Sequence, residues 1–260
     1  MRATSITYTV LIGILLAATG CDSDTGDEVP TVVPAEAFTL RTDLFSAVPA
    51  GAGNHFQAAA ERLQPASDGF REYLDLARDI AISTQQMAPS RDGDDFVWKA
   101  TTESRGQSVD FELVATLAST DVVDWFLNVT TQDGEPALDD FEIVRARTLT
   151  NGTLGEWNHF AMVNGVRTLI FRGQYGAVGF DRFVGVSAED TVDLAIAGDS
   201  LEYSEFTGDV REFLWFDGDR ENWLVVQWRA STKAGWLLAT DYNEQMPACW
   251  DSSLADVDCE

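Results

Sequence analysis

The sequence predicts an α+β fold, mainly β: two N-terminal helices packed on a curved antiparallel β-meander that forms an open or closed barrel. Three observations carry this. Apolar spacing is helical from Asn54 to about residue 87 and switches to a period of two from Phe96 onward. Turn pairs such as Asp133-Gly134, Asn151-Gly152, Asn164-Gly165, Gly198-Asp199 and Asp217-Gly218 separate the later runs, and strands joined by such short turns are antiparallel neighbours. Finally, an amphipathic helix must bury its apolar stripe, and the concave side of a curved sheet offers the surface.

The chain divides into residues 1–20, 21–52 and 53–260. Met1 and Arg2 precede an apolar stretch from Ile6 to Ala18, followed by Thr19-Gly20. About thirteen apolar residues are too few to span a bilayer, which needs roughly twenty, and they read as a secretory signal. The stretch Ala17-Ala18-Thr19-Gly20-Cys21 resembles the lipobox of bacterial lipoprotein precursors. That resemblance implies that Cys21 is acylated, becomes the first mature residue and holds the chain to a membrane of the cell envelope. Asp22 follows directly, which resembles an inner-membrane retention signal of enterobacteria; inner and outer membrane both stay open.

The chain has three cysteines, Cys21, Cys249 and Cys259. With Cys21 taken by lipid, the other two form an even pair, and an oxidising compartment favours a Cys249–Cys259 disulfide. The loop it closes is short, so the bond is a local staple. Seventeen basic residues face 43 acidic ones, a formal net charge of −26. Such a surface repels nucleic acid and anionic head groups, so no nucleic-acid partner is expected and contact with the membrane runs through the lipid. Lysine occurs only at Lys99 and Lys233, and this acid-rich, lysine-poor composition resembles that of proteins from salt-loving or high-GC bacteria.

Residues 22 to about 52 read as an acidic tether: Asp22, Asp24, Asp27 and Glu28, then Pro30, Pro34 and Pro49, with little apolar periodicity. Its run from Phe38 to Phe45 is apolar enough to dock on the domain. The first helix is expected from an Asn54 N-cap, with Phe56, Ala59, Ala60 and Leu63 on one face, and Pro65 ends it. A second is expected from Ser67 or Asp68, carrying Phe70, Tyr73, Leu74, Ala77, Ile80 and Ala81.

From there the sequence alternates. Val109, Phe111, Leu113 and Ala115 mark one half-buried strand, and Val123, Trp125, Leu127 and Val129 the next. Further runs lie near 141–149, 153–163, 166–175, 178–187, 191–197, 201–206, 211–217, 222–231 and 234–240, about ten or eleven strands in all. The order, helices first and then a meander behind a lipid anchor, is similar in outline to the open-barrel lipoprotein carriers of bacterial envelopes. The likeness is one of architecture alone.

Catalytic chemistry finds little support. Gly198-Asp199-Ser200-Leu201 resembles the nucleophile block of the GDSL esterases and lipases, yet it sits late in the chain and no histidine follows it. Without a base, a serine is a weak nucleophile, and Gly-Asp-Ser also suits a hairpin turn. The only histidines are His55 and His159, too few for a zinc set, and His159 shares a strand face with Trp157. Two acidic turns offer oxygen ligands for calcium, Asp92, Asp94 and Asp95, and Asp217, Asp219 and Glu221, but neither has the spacing of a calcium loop. No catalytic residue, metal or cofactor is expected. Eight tryptophans fall from Trp98 onward, and parity sets Trp223 and Trp228 on opposite faces of one strand. The expectation is a lipid-anchored, non-enzymatic envelope protein with a binding role. Its partner is either a hydrophobic ligand enclosed by helix and sheet, or an envelope protein or glycan met by exposed strands and tryptophans. The sequence singles out no ligand-binding residue.

Overall fold

The computed structural model describes residues 28–131, 137–176, 182–189 and 196–259. The signal, Cys21, the Asp133-Gly134 turn and most of the strand expected at 191–197 lie outside the described residues.

One helix, α1 (Asn54–Thr84), stands where two were expected, and it runs straight through Pro65. The proline removes the hydrogen bond to the Glu61 carbonyl, but both residues lie on the exposed side, where the freed oxygen is within reach of solvent. The stripe Phe56, Ala59, Ala60, Leu63, Ala66, Phe70, Leu74, Ala77 and Ala81 keeps one phase across the proline and is buried throughout. Burying so long a stripe outweighs a penalty of about 3 kcal/mol for an interior proline. The N-cap is Gly53 rather than Asn54. The capping oxygens come from Asp256, which accepts the N–H groups of Asn54 at 3.0 Å and His55 at 2.9 Å.

Fourteen strands follow among the described residues: β1 (Ser90–Asp92), β2 (Asp95–Ser104), β3 (Gln107–Ser119), β4 (Val122–Thr131), β5 (Leu138–Leu149), β6 (Gly155–Val163) and β7 (Val166–Gly176), then β8 (Arg182–Ala188), β9 (Ser200–Phe206), β10 (Val210–Asp217), β11 (Asn222–Arg229), β12 (Gly235–Ala239), β13 (Ala248–Trp250) and β14 (Asp256–Val257). They form one antiparallel meander in sequence order, and the sheet is not closed. Four strands have no counterpart among the expected runs: the long β2, and the short β1, β13 and β14 at the ends. Register shifts at Leu117/Ser119, Leu127/Asn128 and His159/Phe160 mark bulges, which add twist and curl the sheet.

The curl brings both ends of the sheet to α1, which packs on β2 at one end and on β11 to β14 at the other. The helix lies across the opening. Between it and the middle strands runs residues 30–45, termed the strap, with two 3-10 turns at Ala35–Phe38 and Asp43–Phe45. The apolar run Phe38 to Phe45 docks, and docking extends upstream through Val33 to Pro30. At the far end of the chain a disulfide joins Cys249 to Cys259, with Cα atoms 5.3 Å apart. It staples the β13–β14 hairpin that carries Asp256.

Candidate ligand-binding groove

Inward residues of β3 to β8 form one wall of a groove and α1 forms the other. Alternation decides which side chains face in: Leu113, Trp125, Leu127, Ala146, Trp157 and Phe171 are all buried. The strap fills this groove with Val33, Ala37, Phe38, Leu40 and Phe45. Phe38 tilts against Trp157 with ring centres 5.5 Å apart, and Phe45 meets the edge of Trp228 at 5.1 Å.

Both walls hold the strap mainly by its oxygens. From α1, Arg71 donates to the Leu40 carbonyl and to Thr42 Oγ1, each at 2.8 Å. From β8, Arg182 donates to the Thr39 carbonyl. Arg41 of the strap reaches Glu205 of β9 at 3.3 Å, and the Thr31 N–H reaches the Thr150 carbonyl at 3.0 Å.

The fit is incomplete in two respects. An apolar void of about 40 Å³ remains where Val32, Val33 and Phe38 meet Ile80 and Ala81 of the helix and Trp125 of the sheet. It is too small for any ligand, and its walls are almost wholly apolar, so it is a packing defect. The second respect concerns polar atoms. Among the described residues, the buried side-chain nitrogens and oxygens without a hydrogen-bond partner are Trp157 Nε1, His159 Nδ1, the Tyr175 hydroxyl, and Arg182 Nε and Nη1. All belong to β6, β7 and β8, and all four side chains point inward beneath the strap and helix.

Glycines make room for two of them. The Trp157 ring lies over Gly173 so closely that a Cβ there would stand 2.0 Å from it, and the Tyr175 ring covers Gly155 at 2.7 Å. Each aromatic of one strand therefore occupies the space above a glycine of its neighbour. His159 stacks on Phe171 at 4.6 Å with Tyr73 at its edge, and burial pushes its imidazole down to about 3. It is neutral at physiological pH. Burial likewise raises the Tyr175 hydroxyl above its ordinary value, so it keeps its proton.

Trp98, Trp125, Trp157, Trp228 and Trp250 fill the interior, while Trp215, Trp223 and Trp236 are only partly buried. Parity separated Trp223 from Trp228 as expected. On the outward face Leu214 pairs with Val225 and Val225 with Leu238, while Phe216 pairs with Trp223 and Gln227 with Trp236. This strip is an apolar stretch on the outward face. Elsewhere the outside carries ion pairs such as Arg147–Asp124 at 2.7 Å and Arg172–Glu189 at 2.8 Å. Two shallow depressions of about 380 and 370 Å³ also lie there, over β2 to β5 and β6 to β9, open and lined by paired polar groups such as Lys99 with Glu112.

The residues weighed for chemistry have structural work. Asp199 is buried and accepts the Gly218 N–H at 2.9 Å and Trp215 Nε1 at 3.1 Å, tying two turns together. His55 Nδ1 bonds the Tyr242 hydroxyl at 2.9 Å. Of the acidic turns, Asp95 accepts Thr116 Oγ1 at 2.6 Å and Asp217 the Arg220 N–H at 3.0 Å. Among the described residues no three His, Cys, Asp or Glu side chains are gathered closely enough to hold a metal ion. Arg71, Tyr175 and Arg182 went unnoticed in the sequence as groove residues. Alternation put Tyr175 on the inward face, but nothing local reveals that an arginine will turn in to meet a carbonyl. Compared with known proteins, the chain matches no family model, no curated protein and no solved structure.

Proposed function

We propose that this chain is a lipid-anchored, non-catalytic binding protein of the bacterial cell envelope that takes a hydrophobic ligand into the groove between α1 and the sheet. In this reading Cys21 carries the lipid and the strap is the groove's resting occupant. The observation that supports it most is the strap itself. A segment of the acidic tether, of which only the run Phe38 to Phe45 was expected to dock, lies from Val33 onward in an aromatic-lined interior, held by a few hydrogen bonds and with a poor fit beneath it. A ligand would enter as the strap leaves, exchanging one apolar occupant for another at little net cost in burial.

The test uses the full-length lipoprotein held in nanodiscs and dibrominated stearate as the probe. Bromine quenches indole emission on contact, so occupancy should dim the interior tryptophans in a saturable way. Emission unchanged at saturating probe would end the proposal of an interior ligand.

The outward strip favours a second reading, an interaction module for an envelope protein or glycan. Partly exposed Trp223 and Trp236 beside Phe216 and Leu238 form a continuous apolar face of the kind that marks interaction sites. Replacing both tryptophans with serine would abolish capture of such a partner and leave stearate quenching intact.

A further inference from the structure

Buried polar groups in native proteins are nearly always paired, and exceptions tend to have a local reason. Here the exceptions share one place. The inward register runs His159–Phe171–Ala188 in one row, Trp157–Gly173–Val186 in the next and Gly155–Tyr175–Val184 in the third, with Arg182 one pair further along β8. His159, Trp157, Tyr175 and Arg182 therefore step diagonally across three strands, covering about 20 Å along the strand direction. His159, Trp157 and Tyr175 are each more than nine-tenths buried, at 6%, 2% and 5% exposure.

Their chemistry leans toward donation, with two groups that only donate and two that can do either. An indole N–H can only donate, and so can a guanidinium. A protonated phenol donates readily, and a neutral imidazole can donate from Nδ1. All four can donate at once to a ligand that brings acceptors. Arg182 already illustrates the preference, since its Nη2 holds the Thr39 carbonyl of the strap, and Arg71 opposite holds the Leu40 carbonyl. Its Nη1 stands 3.7 Å from Glu205, outside hydrogen-bond reach, and its Nε has no partner among the described residues. Around these donors the surface is apolar: Phe171, Val184, Val186 and Phe38.

We infer that the diagonal of Trp157, His159, Tyr175 and Arg182 is the polar half of the ligand site, and that the ligand is an ester-linked lipid whose carbonyl oxygens take the place of the strap's. This rests on the groove reading above and adds to it the class of ligand. A pure hydrocarbon would fill the apolar surface and leave every donor unpaired, which a buried site penalises. An acyl ester supplies both halves, a chain for the aromatic wall and oxygens for the donors.

The experiment compares three probes carrying the same dibrominated chain: a monoacylglycerol ester, the matching glycerol ether and the free alkane. Each is titrated into the full-length lipoprotein in nanodiscs, and quenching is read as affinity per unit of membrane-bound probe. The ester should bind at least fivefold more tightly than the ether, which lacks the carbonyl. Tyr175→Phe and Arg182→Met should each erase most of that preference while binding of the alkane stays unchanged, and thermal melts show that the variants fold. Equal binding of ester and ether, or a preference untouched by both variants, overturns the inference and leaves the groove reading standing. Absence of quenching by all three removes the groove reading itself. Should the donors be served by water alone, the ester and ether will not differ, and that result also counts against the inference.

Discussion

Oδ1 of Asp256 accepts the backbone N–H of His55 at 2.9 Å across 201 positions of chain, so the last strand caps the first turn of the helix. Oδ2 takes the neighbouring N–H of Asn54. Gly53 lets this happen: a Cβ there would lie 2.2 Å from Oδ1 and 2.7 Å from the Asp256 backbone nitrogen. A carboxylate at this end also meets the positive pole of the helix. Asp256→Ala should cost about 1–2 kcal/mol in urea denaturation. Gly53→Ala should cost at least as much, because it expels the same carboxylate.

The disulfide gives that cap its position. Cys249 and Cys259 are ten positions apart and bracket Asp256. Loop closure alone assigns such a bond about 2–3 kcal/mol. If the bond also holds the cap in place, removing both cysteines and Asp256 together should cost less than the sum of the separate losses. A double-mutant cycle with a coupling above about 0.5 kcal/mol would establish the link, and strict additivity would show that hairpin and cap act independently.

His159 predicts a pH dependence of stability. Its imidazole titrates near 3 in the folded chain against an ordinary 6.5, because burial disfavours the cation. Between those values the unfolded chain binds a proton that the folded chain does not, so stability falls as pH drops from 6.5 toward 3. Above 6.5 the group contributes no slope. Asp241, Asp251 and Asp209, held below the usual carboxylate range by hydrogen bonds, add losses at the acid end, so the comparison must be with a variant. His159→Phe should flatten the wild-type curve between pH 6 and 4 by up to about 1.4 kcal/mol per pH unit. Parallel curves for the two proteins would mean that the imidazole is reached by water.

Periodicity made most of the sheet legible. The run Val122 to Thr131 is a strand at those bounds, because alternation with one face buried has no competing solution. The same parity told Trp228, 1% exposed, from partly exposed Trp223. Pro65 misled because its local rule was read without the stripe on either side of it. Leu63, Ala66 and Phe70 stay in phase, and tertiary burial overrode the missing hydrogen bond. The strap was only half legible: it belongs to a stretch whose prolines and acids argue against a core, yet its own apolar residues are the ones that dock. The donor diagonal was not legible at all, since it arises from three strands whose registers the sequence does not state.

That reading of Pro65 is itself testable. If the proline is tolerated rather than required, Pro65→Ala should restore the bond to Glu61 and stabilise the protein. The gain should be about 1–2 kcal/mol, less than the full helix-interior penalty because the proline also restricts the unfolded chain. A loss of stability in urea denaturation would mean that the proline sets a bend on which packing of α1 depends.

Everything proposed for the groove requires the strap to leave without the fold coming apart, and Arg71 is the place to ask. Its Nη2 holds both the Leu40 carbonyl and Thr42 Oγ1 at 2.8 Å. Arg71→Met keeps the apolar stem and removes both bonds, costing the docked strap about 2 kcal/mol. At 1.4 kcal/mol per tenfold, strap opening should rise about thirtyfold. The readout is hydrogen exchange at Ala37, Thr39 and Phe45, whose N–H groups bond within the strap to Pro34, Glu36 and Thr42. Their exchange should accelerate by that factor while amides of β3 and β4, bonded within the sheet, keep their wild-type rates. Such a split means that the strap opens as a unit of its own and that the groove can be vacated by a folded protein. Uniform acceleration across strap and sheet would mean that the strap comes out only when the whole domain unfolds, and an interior ligand could not then be exchanged by the native state.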